Sequence, residues 1–379
     1  MEREIKLAFI GGGVRSAVGY THYAATRLDG RAKLIGGCFN RSQDANRQSG
    51  EKYHIPEEMV FPTSDSCIRG LKDLADAFVI LTPTPDHYQV IMECIEYGVP
   101  IICEKPLCTS VSEAGHLKSE IEKNGLFYTS TYNYTGYPML REMKQMLLDG
   151  TIGDLNLIQA EMLQDGYAVR DLNGERKPPQ KWRLDHYEIP GIHLDLATHL
   201  LEILYYLTGY KMGSVYSKNR CGGNFRGVED ICTSILEGSD RNNKNVLCEL
   251  TFGKAFLGKK NGLKIYVFGT KGTICWEQEF AERLLITDQH GISRIVCRGD
   301  ECCKVAGQSR YTRFKGGHPV GFIEAFANVY HDIYDALIEY QTFGKWSSDE
   351  VFDIGYAYEN MLQLSAMERS HISNETILI

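Results

Sequence analysis

The sequence predicts an α/β chain of two domains: a parallel-sheet α/β domain over residues 1–131 and, over 132–379, an α+β domain with a large open, mostly antiparallel sheet. Three observations predict it. Between residues 5 and 131 short apolar runs alternate with helix-like segments, the pattern of βαβ units. After residue 132 strand-like runs follow one another with only turns between them, as antiparallel strands do. At 379 residues the chain also exceeds the size at which one hydrophobic core normally keeps growing.

In the first domain the strand-like runs are KLAFI, AKLIGGCF, AFVILTP, PIICEKP and LFYTSTY. Helices are expected between them over Ala17–Leu28, Gln43–Tyr53, Asp86–Tyr97 and Ser112–Asn124. The second domain opens with a helix over Met139–Asp149 and a strand in GDLNLIQAEML. A polar loop (Asn173–Arg183) then leads to an apolar helix in GIHLDLATHLLEILYYLTG, residues 191–209. Strands follow in GSVYSKN, ICTSILEG, NVLCELTF, LKIYVFG, GTICWEQ and RLLITD, with the turn Gly269–Thr270–Lys271–Gly272 among them. Helices over Phe322–Tyr340 and Asp349–Arg369 close the chain, and these two are expected to be able to pack back on the first domain.

Composition excludes several function classes. A formal net charge of −8 and a pI near 5.8 lack the basic footprint of nucleic-acid binders. No apolar run approaches the ~18 residues of a membrane span, and the charged start MEREIKLAFIGGG reads as a first strand rather than a signal peptide. The twelve cysteines form no CxxC pair. A soluble cytoplasmic protein with reduced, mostly buried thiols and no metal centre is expected.

Ligands of parallel sheets sit at the carboxyl ends of the strands, and the suggestive motifs fall there. In IGGGVRSAVGYTH, a strict GxGxxG would place Ser16 third. A lengthened loop places Gly19 there instead, beside a helix N-terminus suited to a pyrophosphate. This is the mark of a Rossmann dinucleotide-binding domain. The second strand ends CFNRS without the acid that usually meets the ribose of NAD. Asn40 and Ser42 can hydrogen-bond a ribose, and Arg41 can accept a 2′-phosphate or be a solvated surface arginine. NAD is expected, with NADP possible. LTPTPDHY and CEKPL place Thr82, His87 and Lys105 on the crevice rim.

Asp195 and His199 stand four apart in the apolar helix. With Glu202 and Tyr206 they also fit the solvated face of an amphipathic helix. Metal binding by His193, Asp195 and His199 is the weaker alternative, lacking a second histidine pair. The functional reading is chemical. Oxidising a secondary alcohol needs a base for the hydroxyl proton, and imidazole suits that task near neutral pH. A carboxylate can orient ring or substrate, and a lysine ammonium can stabilise alkoxide charge.

Taken in order, GGGxxxxxG, TPxxxH, EKPL and DLATH resemble the Gfo/Idh/MocA family of sugar and cyclitol oxidoreductases over nearly the whole chain. NYTGYPMLR, Trp182–Arg183, FGTKGTICW and GHPVGFIEAFANVY are similar to its levoglucosan dehydrogenase and glycoside 3-dehydrogenase branch. The resemblance implies Lys105, Asp195 and His199 as the catalytic group and an open sheet that mediates oligomerisation. Cofactor contacts are expected from Gly11, Gly13, Val14, Arg15, Ser16, Asn40, Arg41, Ser42, Thr82, Pro83, Thr84, His87, Glu104, Lys105 and Asn133, with Trp182 and Arg183 from the second domain. Substrate contacts are expected from Lys105, Tyr134, Tyr137, Arg183, Asp195 and His199.

The expected activity is an NAD(P)-dependent dehydrogenase acting on a ring secondary hydroxyl of a sugar, cyclitol or glycoside. Two alternatives stay open: redox-neutral glycoside hydrolysis or elimination through a transient keto-sugar, and a non-catalytic dinucleotide sensor. Several runs of the second domain are apolar on both alternating sets, so a homodimer or homotetramer is expected.

Overall fold

The computed structural model describes residues 3–379. They form two compact units, one of residues up to Gly136 with Gly321–Glu359, the other of Tyr137–Val320 with Asn360–Ile379. The first stretch runs to Gly136 rather than to the expected 131/132 boundary, and Gly321–Glu359, from the closing helices, belong to the same unit.

The first unit contains β1 (Ile5–Gly11), α1 (Gly19–Arg27), β2 (Ala32–Cys38), α2 (Gln43–Lys52), α3 (Ser64–Leu71), β3 (Ala77–Leu81), α4 (His87–Tyr97), β4 (Ile101–Glu104), α5 (Val111–Asn124) and β5 (Tyr128–Thr131). All five strands pair in parallel in the order β2-β1-β3-β4-β5. β3 reads AFVIL and is buried along its whole length, as a parallel strand covered on both faces must be. Parallel strands bring all five carboxyl ends to one edge, and the strand order reverses between β1 and β3, where ligands of such sheets settle.

α3 was not expected from its sequence, SDSCIRGL. Thr63 caps it, accepting from the Ser66 N–H while Ser66 Oγ accepts from the Thr63 N–H.

The second unit holds α6 (Pro138–Leu148), β6 (Leu155–Leu163), α7 (Thr198–Thr208), β7 (Lys211–Arg220), β8 (Ile231–Ser239), β9 (Asn245–Gly253), β10 (Gly262–Gly269), β11 (Gly272–Glu277), β12 (Arg283–Asp288) and β13 (Ser293–Cys297). The chain then returns to the first unit through α8 (Phe322–Phe343), whose Phe326, Tyr330, Ile333 and Leu337 share a core with Leu7 and Phe9 of β1. The division falls within α9 (Ile354–Ser373), and β14 (Ile377–Leu378) ends the second unit.

Its nine strands run β13-β12-β11-β10-β6-β9-β8-β7-β14, with β6 and β9 parallel and every other pair antiparallel. One face is core, carrying Ile158, Leu250, Ile265 and Trp276, and α6 and α7 lie on that side. β13 and β14 are short, largely exposed edge strands that the sequence pattern does not reveal.

Candidate active site

At the carboxyl edge of the first unit's sheet, Gly11 ends β1, and the Gly13 N–H donates to Phe39 O at 3.1 Å. The Val14 N–H donates to Ser49 Oγ at 3.0 Å, and Ser16 Oγ accepts from the N–H groups of Val18 and Gly19. Val14 and Arg15 are exposed. A Cβ on Gly19 would lie 1.9 Å from Gly12 O. Only glycine lets α1 start this close to the β1 turn, so the lengthened spacing with Gly19 in the last place is the one the backbone uses.

After β2, Asn40 Oδ1 accepts from the Ser42 N–H at 2.9 Å. The Arg41 side chain is exposed and ion-paired with Asp86 of the TPTPD turn. Pro83 and Thr84 open that turn, and Thr84 is buried.

His87 is a correction to the expectation of a rim residue. It is 1% exposed, with Nδ1 2.9 Å from Pro106 O and Nε2 3.0 Å from Thr82 O, so it ties the turns after β3 and β4 together. Both partners are acceptors, yet burial lowers its pKa from the ordinary histidine value.

Glu104 ends β4. It is buried, accepting from Thr131 Oγ1 at 2.6 Å and facing His22 Nε2 at 3.0 Å, while His22 Nδ1 lies 2.7 Å from Tyr330 Oη. Burial alone would raise its pKa. The His22 bond and charge, Lys105 and Thr131 outweigh it and hold the carboxyl below the usual value. Glu104 therefore anchors the turn that carries Lys105, and His22 and Tyr330 are partners that sequence reasoning did not assign.

Two buried polar atoms at this edge, Thr82 Oγ1 after β3 and Asn133 Nδ2 after β5, have no hydrogen-bond partner within the protein. Buried polar groups are normally satisfied, so these atoms, with the close β1–α1 turn, fit a polar ligand such as a dinucleotide.

In the second unit the apolar helix is not regular. His193–Ala197 form a π turn that runs directly into α7, a local change of hydrogen-bond register often found at functional sites. Asp195 stands on this turn, one-fifth exposed at the side chain, and Oδ2 accepts from Arg183 Nη1 at 2.7 Å and from Lys254 Nζ. The Arg183 guanidinium also lies 4.5 Å from the Trp182 ring, and the partly exposed Trp182 donates from Nε1 to Gln180 Oε1.

His199 is 5% exposed, Glu202 0% and Tyr206 3%. These values exclude the solvated-face reading, since the polar side of α7 is as enclosed as its leucines. Tyr134, in the first unit, and Tyr137, in the second, are likewise buried and offer no open stacking surface. Tyr137 packs on Trp276 and accepts from Gln278 Nε2.

His193 is fully buried and meets Asn219 Oδ1 through Nε2 at 3.1 Å rather than sharing a site with Asp195 and His199. Asn219 Nδ2 donates to Glu229 Oε2 and Glu368 Oε2, both at 2.9 Å, and the Asn219 N–H donates to His371 Nδ1. Burial, then the Glu229 charge beside it, pushes the Glu368 carboxyl up to about 7, against the lowering effect of Asn219. Burial lowers His193 to about 4, so this ring is neutral near neutral pH.

Both units have counterparts among known proteins. Residues 5–132 match the oxidoreductase family with the NAD-binding Rossmann fold, Gfo/Idh/MocA, and residues 140–275 match the Gfo/Idh/MocA C-terminal domain. The uncharacterized oxidoreductase YfiI of Bacillus subtilis is 26% identical over 346 residues, covering 87% of this chain and 84% of its own. Levoglucosan dehydrogenase of Pseudarthrobacter phenanthrenivorans is 28% identical over 153 residues, 39% of this chain and 37% of its own. The structure of an inositol dehydrogenase homolog of Azotobacter vinelandii, complexed with NADH and myo-inositol, superposes with a TM-score of 0.86 at 20% identity over 100% of this chain and 98% of its own, a likeness of fold. The chain belongs to the Gfo/Idh/MocA family of oxidoreductases, with its NAD-binding Rossmann domain and its C-terminal domain both present.

Proposed function

We propose that the chain is an NAD-dependent dehydrogenase that removes hydride from a ring secondary hydroxyl of a sugar, cyclitol or glycoside. The observation that carries the reading is the enclosed acid–imidazole pair: Asp195 fixed on a π turn by two cations, followed by a buried His199. Bound NAD supplies the hydride acceptor. Gly11, Gly13 and the start of α1 would receive its pyrophosphate, and Thr82 and Asn133 would give their unpartnered polar atoms to it. His199 takes the hydroxyl proton. Asp195, whose Oδ2 already accepts from Arg183 and Lys254, orients the reacting groups rather than receiving a proton. The Lys105 ammonium stabilises the developing alkoxide. Levoglucosan and myo-inositol, named for two relatives, are both polyhydroxylated rings.

The test is a nucleotide-reduction screen over monosaccharides, disaccharides, inositols, anhydrosugars and plant glycosides. Turnover is expected for one of these classes. His199→Ala and Lys105→Ala should each lower it at least ~100-fold while dinucleotide binding survives. Binding of dinucleotide without turnover across the panel would favour the sensor instead. Release of free sugar without net NADH would favour the redox-neutral route.

We also propose homo-oligomerisation through the outer face of the second unit's sheet. Strand register aligns Ile295, Leu285, Cys275, Tyr266, Gln159, Glu249, Ile235 and Tyr216 in one row across eight strands. Ile295 and Ile235 are half exposed. A row of this kind is suited to cover by a second copy of the chain.

A further inference from the structure

We infer that Lys254 is a positioning residue for this reaction, the fixed support that aims Asp195. The inference rests on the proposed role of Asp195. Two cations meet the same carboxylate oxygen, but they come from unlike places. Arg183 rides on a short turn (Lys181–Leu184) in a long polar loop. Lys254 follows the last residue of β9, inside the sheet, and is nearly buried.

The backbone around Lys254 is held on both sides. Its N–H donates to Asp230 O at 2.7 Å, and its carbonyl accepts from the Tyr167 N–H at 2.8 Å. Gly253 makes the approach possible, because a Cβ there would lie 2.2 Å from Asp230 O. The ammonium also lies 5.4 Å from the Tyr167 ring centroid, a cation–π contact that restrains its stem. Lys254 thus transmits the position of β9 to Asp195, whereas Arg183 transmits that of a loop outside the sheet.

The two cations should separate in kinetics. Lys254→Met, which keeps length and packing, should lower kcat about 10–100-fold with little change in KM. Arg183→Ala should act mainly on KM. Lys254→Arg should recover most of the lost turnover, which a role in packing alone would not require. A double-mutant cycle with Asp195→Asn reads the same link without turnover. Lys254→Met should change the denaturant unfolding constant several-fold in the wild type and hardly at all when Asp195→Asn is present. Additive effects in that cycle, or wild-type kcat in Lys254→Met, would overturn the inference. A wild-type protein that oxidises nothing in the panel would remove the dehydrogenase reading alone, leaving the unfolding cycle to decide whether Lys254 fixes Asp195.

Discussion

Among single residues, the Arg41–Asp86 pair bears on cofactor choice, because the guanidinium that can meet a 2′-phosphate already has a carboxylate beside it. An exposed pair of this kind contributes at most about 1 kcal/mol, so a phosphate competes with Asp86 rather than being barred. Asp86→Asn should therefore raise NADP affinity several-fold relative to NAD, read as the ratio of the two dissociation constants by nucleotide fluorescence. An unchanged ratio would show that Arg41 does not reach the ribose. The closeness of Gly19 to the β1 turn, and the placing of Asp195 and His199 on one apolar helical stretch, were legible because each is set by spacing within one strand–turn or one helix. Lys254 was not. It meets Asp195 only after β9 pairs with β6 and β8, a relation that no local pattern in LTFGKAF contains.

Among the elements, the π turn is the feature that spacing conceals, since DLATH reads the same in either hydrogen-bond register. It is supported from behind by the His193–Asn219 contact and by the acids on Asn219, and this support has a pH signature. Glu368 titrates near 7 in the fold and near 4.3 as a free glutamate. Between those values the folded protein holds a proton that the unfolded chain has released. Stability should therefore fall as pH rises through that window and reach its low level above 7. The groups facing it are Glu229 and His371, which lie 3.0 Å apart, and Asn219. Glu368→Gln should flatten the decline in Tm between pH 5.5 and 8; a slope equal to that of the wild type would remove Glu368 as its source. α3 escaped notice because Gly70 and the short polar start of SDSCIRGL weaken its period.

For the whole molecule, the outer row of the large sheet predicts the state of association. Ile235→Glu places a charge between Glu249 and Tyr216 and should convert an oligomer to a monomer by light scattering at micromolar concentration. A monomeric wild type would defeat the assembly itself. The alternation of strand and helix up to residue 131 was legible because buried parallel strands are continuously apolar. The return of α8 was legible only as something the closing helices are able to do, because an amphipathic helix does not say which core its apolar face joins. That return also governs the timing of biosynthesis. Domains generally fold as they emerge, N-terminal first, at about 5–20 residues per second. Here the first unit waits for Gly321–Glu359, roughly 10–45 s after Gly136 is made at those rates, with the β1 core lacking Phe326, Tyr330 and Ile333 in the interval. The inserted unit lacks only Asn360–Ile379 when Val320 is made. A nascent chain halted at Gly136 should thus be protease-sensitive and bound by chaperones, and adding a peptide of residues 321–359 should protect it.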